Sequence, residues 1–180
     1  QIVKKAILKK GKESAILRKH PWIFSGAIEK MDGGCRPGDL VQVLDFQNQW
    51  ICCGHVGDGS IAIRVLSFEV QKIDQLFWNE RIANCYALRQ ELGYGPTTST
   101  TAFRLVHGEG DFLPGLIIDI YENTAVIQAH TEGMFKNIDL IAEALKTELG
   151  HFIHTIYNKS SAALHSQENR DGFILGQLEE

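Results

Sequence analysis

The chain has 180 residues, 44% hydrophobic and 22% charged, enough apolar side chain to pack one large or two small domains and too much for wholesale disorder. No apolar run approaches the roughly 20 residues that a bilayer-spanning helix needs, so no membrane partner is expected. The net charge of −4 is unevenly placed: residues 1–36 carry nine Lys and Arg against three acids, a local +6, and the remainder sums to −10. A basic front on an acidic body points to an anion-binding end, with nucleic acid the commonest partner, or to nothing more than a solvated face.

The chain begins at Gln1 rather than Met, which suggests a boundary or processing upstream. Its basic start leads into strand-like sequence instead of an apolar signal core, so a cytoplasmic protein is expected. The first 68 residues read as all-β: Ile2–Leu8, then Lys9-Lys10-Gly11-Lys12 as a turn, a linker or helical turn over 15–20, and Pro21-Trp22-Ile23-Phe24. After the turn at Pro37-Gly38-Asp39 come strands at Leu40–Leu44, Trp50–Gly54 and Ile61–Val65. Short strands separated by polar turns at this spacing predict a small barrel or sandwich.

At Asp74 the apolar period changes. Trp78, Ile82, Cys85, Leu88 and Leu92 recur at three- and four-residue steps, with Asp74 as N-cap and Gly93 as terminator, which predicts a helix. Residues 95–101 form a polar connector. Strands are then expected over 101–107, 116–121, 124–130 and 152–157, with one helix traced by Met134, Ile138, Ile141, Leu145 and Leu149, and a last strand over 173–178. The expected organisation is therefore a barrel over 1–68, a helix and linker over 69–100, and an α+β domain over 101–180, with a small sheet and one packed helix.

The cysteines Cys35, Cys52, Cys53 and Cys85 show neither C-x-x-C spacing nor accompanying histidines, so reduced thiols and no metal site are expected. Cys52 and Cys53 should point to opposite faces of their strand, one to the core and one to the surface. His151 and His154 fall in strand-like sequence, where a three-residue step separates their faces. Gly108, Gly110 and Gly115 match neither G-x-G-x-x-G nor a G-K-[ST] ending, so no nucleotide loop is read there. Glu109 and Asp111 could be paired catalytic carboxylates of a hydrolase, but in a tight turn acids more often satisfy backbone amides.

The string HPWIFSGAI (His20–Ile28) sets aromatic rings beside Arg18 and Lys19, the combination that grips single-stranded or flipped-base RNA: charge for phosphates, rings for stacking. Phe24 is read as barrel core; His20, Arg18 and Lys19 are the better contact candidates. Arg64, between Ile63 and Val65, should face away from the core and meet a phosphate or an acidic neighbour.

LKKGKESAILRKHPWIFSGAI (Leu8–Ile28), GDLVQVLD (Gly38–Asp45), IAIRVLS (Ile61–Ser67) and above all RLVHGEGDFLPGLIIDIY (Arg104–Tyr121) resemble the front part of PUA-domain bacterial RNA methyltransferases that use S-adenosylmethionine. That group includes enzymes methylating carbon 5 of a cytosine in large-subunit ribosomal RNA. The resemblance implies a PUA-like barrel, a small α+β domain, and then a Rossmann-type catalytic domain that these residues do not contain. It implies ribosomal RNA as partner, S-adenosylmethionine as cofactor of the full-length parent with none held by this portion, and no catalytic residue here; a homodimer is compatible with it. RNA-contact candidates are Lys9, Lys10, Arg18, Lys19, His20, Trp22 and Arg64. Two strings depart from the pattern: GHVGDGS (Gly54–Ser60) replaces a longer Asn-Pro-x-Ser-like segment, and Asn158 stands at a usually acidic place. A protein-docking module without RNA binding is the alternative, expected to expose an apolar patch on the second domain.

Overall fold

The computed structural model describes residues 4–164 and 170–177, and its contacts divide the chain into two compact units, Gln1–Gln71 and Lys72–Glu180. The expected start of the first strand at Ile2 and end of the last at Leu178 lie outside the described residues.

The first unit contains β1 (Lys4–Leu8), a single helical turn α1 (Ser14–Leu17), β2 (Trp22–Phe24), β3 (Ile28–Met31), β4 (Leu40–Leu44), β5 (Trp50–Val56) and β6 (Ile61–Ser67). They form one sheet in the order β2-β6-β5-β4-β1-β3, antiparallel except for the parallel pair β1–β4. Alternation builds its core: Ala6 and Leu8, Val41 and Val43, Ile63 and Val65 all point inward, and Ile16 of α1 and Ile23 of β2 join them. Each such valine, leucine or isoleucine side chain contributes about 1.5–3 kcal/mol on burial.

The sheet is a curled half-barrel rather than a closed barrel, because β2 and β3 remain edges. β3 is a strand that the sequence pattern does not reveal: its Glu29 and Lys30 are exposed, as edge strands require. The cysteine pair also departs from expectation. Cys52 lies in the core cluster, yet Cys53 is buried too, at 5% exposure, as is His55 on the same side of the strand. β5 is covered on both faces, so alternation separates the two thiols without exposing either.

The second unit contains α2 (Gln75–Glu91), β7 (Ala102–His107), β8 (Leu116–Tyr121), β9 (Thr124–Ala129), α3 (Glu132–Lys136), α4 (Ile138–Leu149), β10 (Thr155–Asn158) and β11 (Gly172–Leu175). The five strands form a sheet in the order β11-β10-β9-β8-β7, with β9–β10 parallel. Leu116, Ile118, Ile120, Ala125, Ile127 and Ala129 line its buried face. The expected single helix on this sheet is instead a pair: α2 packs on α4 and β7, tied by Gln75 Nε2 donating to the Leu140 carbonyl at 2.9 Å.

Asp74 caps α2 as expected, its carboxylate accepting the Leu76 and Phe77 amides. The buried stripe holds Trp78, Ile82 and Cys85, but Leu88 and Leu92 are 45% and 62% exposed. Arg89 takes the inward place, because it lies eleven residues, about three turns, after Trp78. The helix expected from Met134 to Leu149 breaks at Asn137, whose Nδ2 donates to the Gly133 carbonyl at 2.7 Å while its own amide turns to Met134. An asparagine side chain that takes the carbonyl of the preceding turn competes with the helix ladder. The strand expected over 152–157 is displaced to Thr155–Asn158; His151 and His154 both precede it and are exposed.

Candidate nucleic-acid interface

Parity along β2 shapes the site. Ile23 is core, so Trp22 and Phe24 must share the outer face, and Phe24 is 48% exposed, not the core residue its apolarity suggests. Trp22 pairs across the sheet with Arg64 of β6, and Arg64 with His55 of β5. Trp22 and Arg64 are therefore neighbours on the outer face. The rings of His20, Trp22 and Phe24 form a triangle with centroids 6.2–6.3 Å apart, and Trp22 and Phe24 meet edge-to-face at 89°. His20 Nδ1 lies within hydrogen-bond distance of both the Trp22 amide, at 3.2 Å, and the Trp22 carbonyl oxygen, at 3.1 Å, so the ring is held against the start of β2.

Lys19 enters this group through an unusual backbone. The Lys19 amide donates to Ile16 and the His20 amide to Ala15, the paired bonds that end a helix with a left-handed residue. That residue is usually glycine; here it is Lys19, at φ 66°. Non-glycine residues held in this region cluster at functional sites. The Lys19 ammonium lies 4.9 Å from the Phe68 ring centroid. Lys9 and Lys10 sit in the β1–α1 turn, Lys9 bonded through its amide to the Ala27 carbonyl and Lys10 placed 5.6 Å from the Phe46 ring centroid.

The structure thus brings His20, Trp22 and Arg64 together, adds Phe24 to them, and places Lys10 and Lys19 on separate aromatic supports, while Arg18 is exposed at the end of α1. Among the described residues Lys9, Arg18 and Arg64 have no carboxylate partner. The β5–β6 turn shapes the position of Arg64. A Cβ on Gly57 would lie 2.8 Å from the Arg64 Nη1 and 2.2 Å from the Ile61 carbonyl oxygen, so only glycine leaves the guanidinium this path. Phe24 and the cation–aromatic pairs escape sequence reasoning; the alternation Trp-Ile-Phe was the available signal for Phe24.

The glycine-rich string of the second unit does different work. Asp111 accepts Arg89 Nη2 and the His107 amide, both at 2.6 Å, and the pair is nearly buried at 11% and 6% exposure. Arg89 also donates to the Arg104 carbonyl, locking α2 to β7. Asp111 is engaged as a structural carboxylate, as the turn reading expects. A Cβ on Gly115 would lie 2.5 Å from Thr131 Cγ2, so this loop closes on the protein's own side chain. The Cys85 thiol is pushed up to about 12, by burial and then by Asp111, which disfavours its thiolate form.

Asn158 is 6% exposed; its Nδ2 donates to the Arg170 carbonyl at 2.7 Å and its Oδ1 accepts from Ser160, whose hydroxyl accepts the Ala129 amide. A carboxylate in its place would have no proton for the Arg170 carbonyl. The opposite face of this sheet is open: Phe173, Tyr157 and Val126 continue into the Asp119–Arg104 ion pair at 2.8 Å. The hydrogen bonds that the Arg104 guanidinium donates to the Asp119 carboxylate, more than charge or burial, hold it protonated above its ordinary range. A cleft of about 900 Å³ opens beside Tyr121, Thr124 and Thr155. Among the described residues no helix is long and apolar enough to cross a membrane, and no cluster of three metal-ligating side chains occurs.

The outer-face geometry lies within residues 6–68, which match the model of a PUA-like domain. Beyond it, the chain is homologous over nearly its whole length to ribosomal RNA large subunit methyltransferase I. It is 32% identical to that protein of Shigella dysenteriae over 96% of the chain and 44% of the relative, and 36% identical to that of Pseudoalteromonas atlantica over 88% and 40%. The chain spans under half the length of these relatives. A structure described as a SAM-dependent methyltransferase of Streptococcus mutans superposes with a TM-score of 0.79 at 16% identity, covering 98% of this chain and 44% of its own. Another, a methyltransferase in complex with SAH, gives 0.74 at 16% identity, covering 92% and 43%. At that identity the likeness concerns the fold.

Proposed function

We propose that this chain is the RNA-recognising and substrate-orienting portion of an S-adenosylmethionine-dependent ribosomal RNA methyltransferase, acting on carbon 5 of a cytosine in large-subunit RNA. The observation that carries the reading is the PUA-like unit's outer face, where Arg64 lies beside Trp22, whose ring meets that of His20, with no carboxylate partner for Arg64 among the described residues. Phosphates are the ligand that such cations lack, and rings beside them suit bases. Lys9, Lys10, Arg18 and Lys19 extend the phosphate contacts, and the second unit orients the RNA. S-adenosylmethionine and the methyl-transfer chemistry belong to the remaining part of the longer protein; no residue of this chain is assigned to hold the cofactor.

The test is binding of the 180-residue chain to large-subunit ribosomal RNA fragments at two salt concentrations, beside an Arg18→Ala, Lys19→Ala variant. Log affinity is expected to fall by about 0.7–0.9 per phosphate contact per log unit of salt, and the variant to lose up to two contacts' worth of slope. Affinity that does not move with salt would remove the basic face as the RNA site.

A second reading attaches to the open sheet face of the second unit, where Tyr121 and Phe173 are 55% and 47% exposed: a docking surface for protein without RNA binding. It gains ground only if the chain fails to bind RNA at low salt.

A further inference from the structure

Phe24 is unexplained by a phosphate grip. It is a large apolar side chain, 48% exposed, on the terminal strand of the sheet, fixed outward because Ile23 occupies the core. The ladder shifts register between Ile23 and Phe24, and the Ser25 amide then returns to Ser60, so the ring sits on a strand end anchored on both sides. Its edge-to-face contact with Trp22 and its tilt of 45° to His20 keep these rings from stacking on one another, so flat ring surface stays available. Arg64 stands beside Trp22, without a carboxylate partner among the described residues.

A flat apolar ring bordered by unneutralised cations complements a ligand that combines a π-face with negative charge. A nucleotide has both. In an A-form duplex the base faces are consumed by stacking, and the major groove is too deep and narrow for a side chain to read. Only an unpaired nucleotide presents a base face beside its phosphate.

We infer that Phe24 is the stacking platform for an unpaired nucleobase, so that this face takes RNA that is single-stranded at the point of contact. The inference rests on the RNA-binding reading of the first unit and adds to it the strandedness of the ligand and a residue that phosphate contacts do not require.

The experiment compares an oligouridylate with an RNA duplex of equal length, each titrated at one fixed low salt against the whole chain, Phe24→Ala and Phe24→Tyr. The wild type is expected to bind the single strand more tightly than the duplex. Phe24→Ala is expected to weaken the single strand about five- to tenfold, leaving duplex binding and thermal midpoint unchanged, and Phe24→Tyr to keep wild-type behaviour. Equal binding of both forms with no effect of Phe24→Ala overturns the stacking role and leaves the phosphate grip standing. Equal weakening of both forms also overturns it, because the ring would then not be reading base faces. No binding of either form at low salt overturns the RNA reading itself, and this inference with it.

Discussion

In the first unit ten Lys and Arg stand against seven Asp and Glu, and Lys4 alone among them, in the described residues, reaches a carboxylate within 4 Å, that of Asp39. In the second, eight stand against fifteen, and Arg89, Arg104, Lys146 and Arg170 each close an ion pair. The same residue types are put to opposite uses. Arg89 is buried between α2 and the turn after β7, where its loss leaves an uncompensated charge; Arg64 lies on a sheet face beside Gly57, with no carboxylate partner among the described residues. Net charge by unit, +3 against −7, therefore understates the contrast, since what a ligand senses is the cation without a partner.

The comparison breaks most readily at Arg89. Arg89→Met strands the Asp111 carboxylate, so a loss of about 3–5 kcal/mol is expected in urea denaturation, while RNA affinity measured under native conditions stays at the wild-type value. An RNA affinity that falls in step would mean that the two units do not divide the work as stated. Next in size is Asn158→Asp, which removes the donor to the Arg170 carbonyl and buries a charge; about 1–3 kcal/mol is expected, read as a lower midpoint that acidification partly restores by neutralising the new carboxylate. In the first unit, Gly57→Ala drives a methyl group into the Ile61 carbonyl and the Arg64 guanidinium, with an expected cost of about 1–3 kcal/mol and a shallower salt slope of RNA binding. An unchanged slope would place the Arg64 charge outside the phosphate track. The smallest effect sharpens the contrast by its sign: Lys19→Gly relieves the left-handed strain, so a gain of up to about 1 kcal/mol in stability should accompany weaker RNA binding.

Local chemistry made much of this legible. Asp74 caps α2 with its own carboxylate, and the spacing Trp78, Ile82, Cys85 traces the buried stripe, because capping and helical period need only a few neighbouring residues. The basic front, the cluster at His20 and Trp22, and the outward face of Arg64 follow from composition and alternation. Where the reading failed, a distant partner outweighed a local preference. Phe24 is apolar enough for a core, but the place was already Ile23's. Cys53 lies on the side opposite the core, yet that side is covered as well. Leu88 continues an apolar rhythm that the structure abandons because Asp111, twenty-two residues beyond Arg89, draws a guanidinium inward. The helix break at Asn137 turns on one amide choosing the Gly133 carbonyl, a competition that periodicity does not register.

The sequence by itself determined the strand and helix inventory in outline, a charge-rich front, and a glycine-rich turn in which Asp111 takes a backbone amide. These depend on contacts within a few residues. Only the tertiary structure decided that the barrel stays open at β2 and β3, that Trp22 and Arg64 become neighbours, that the Arg64 guanidinium passes over Gly57, and that Asn158 belongs to a buried hydrogen-bond network. Each of these requires two segments far apart in the chain to meet, and the energy of meeting, by burial, pairing or a filled cradle, appears only once the fold has brought them within reach.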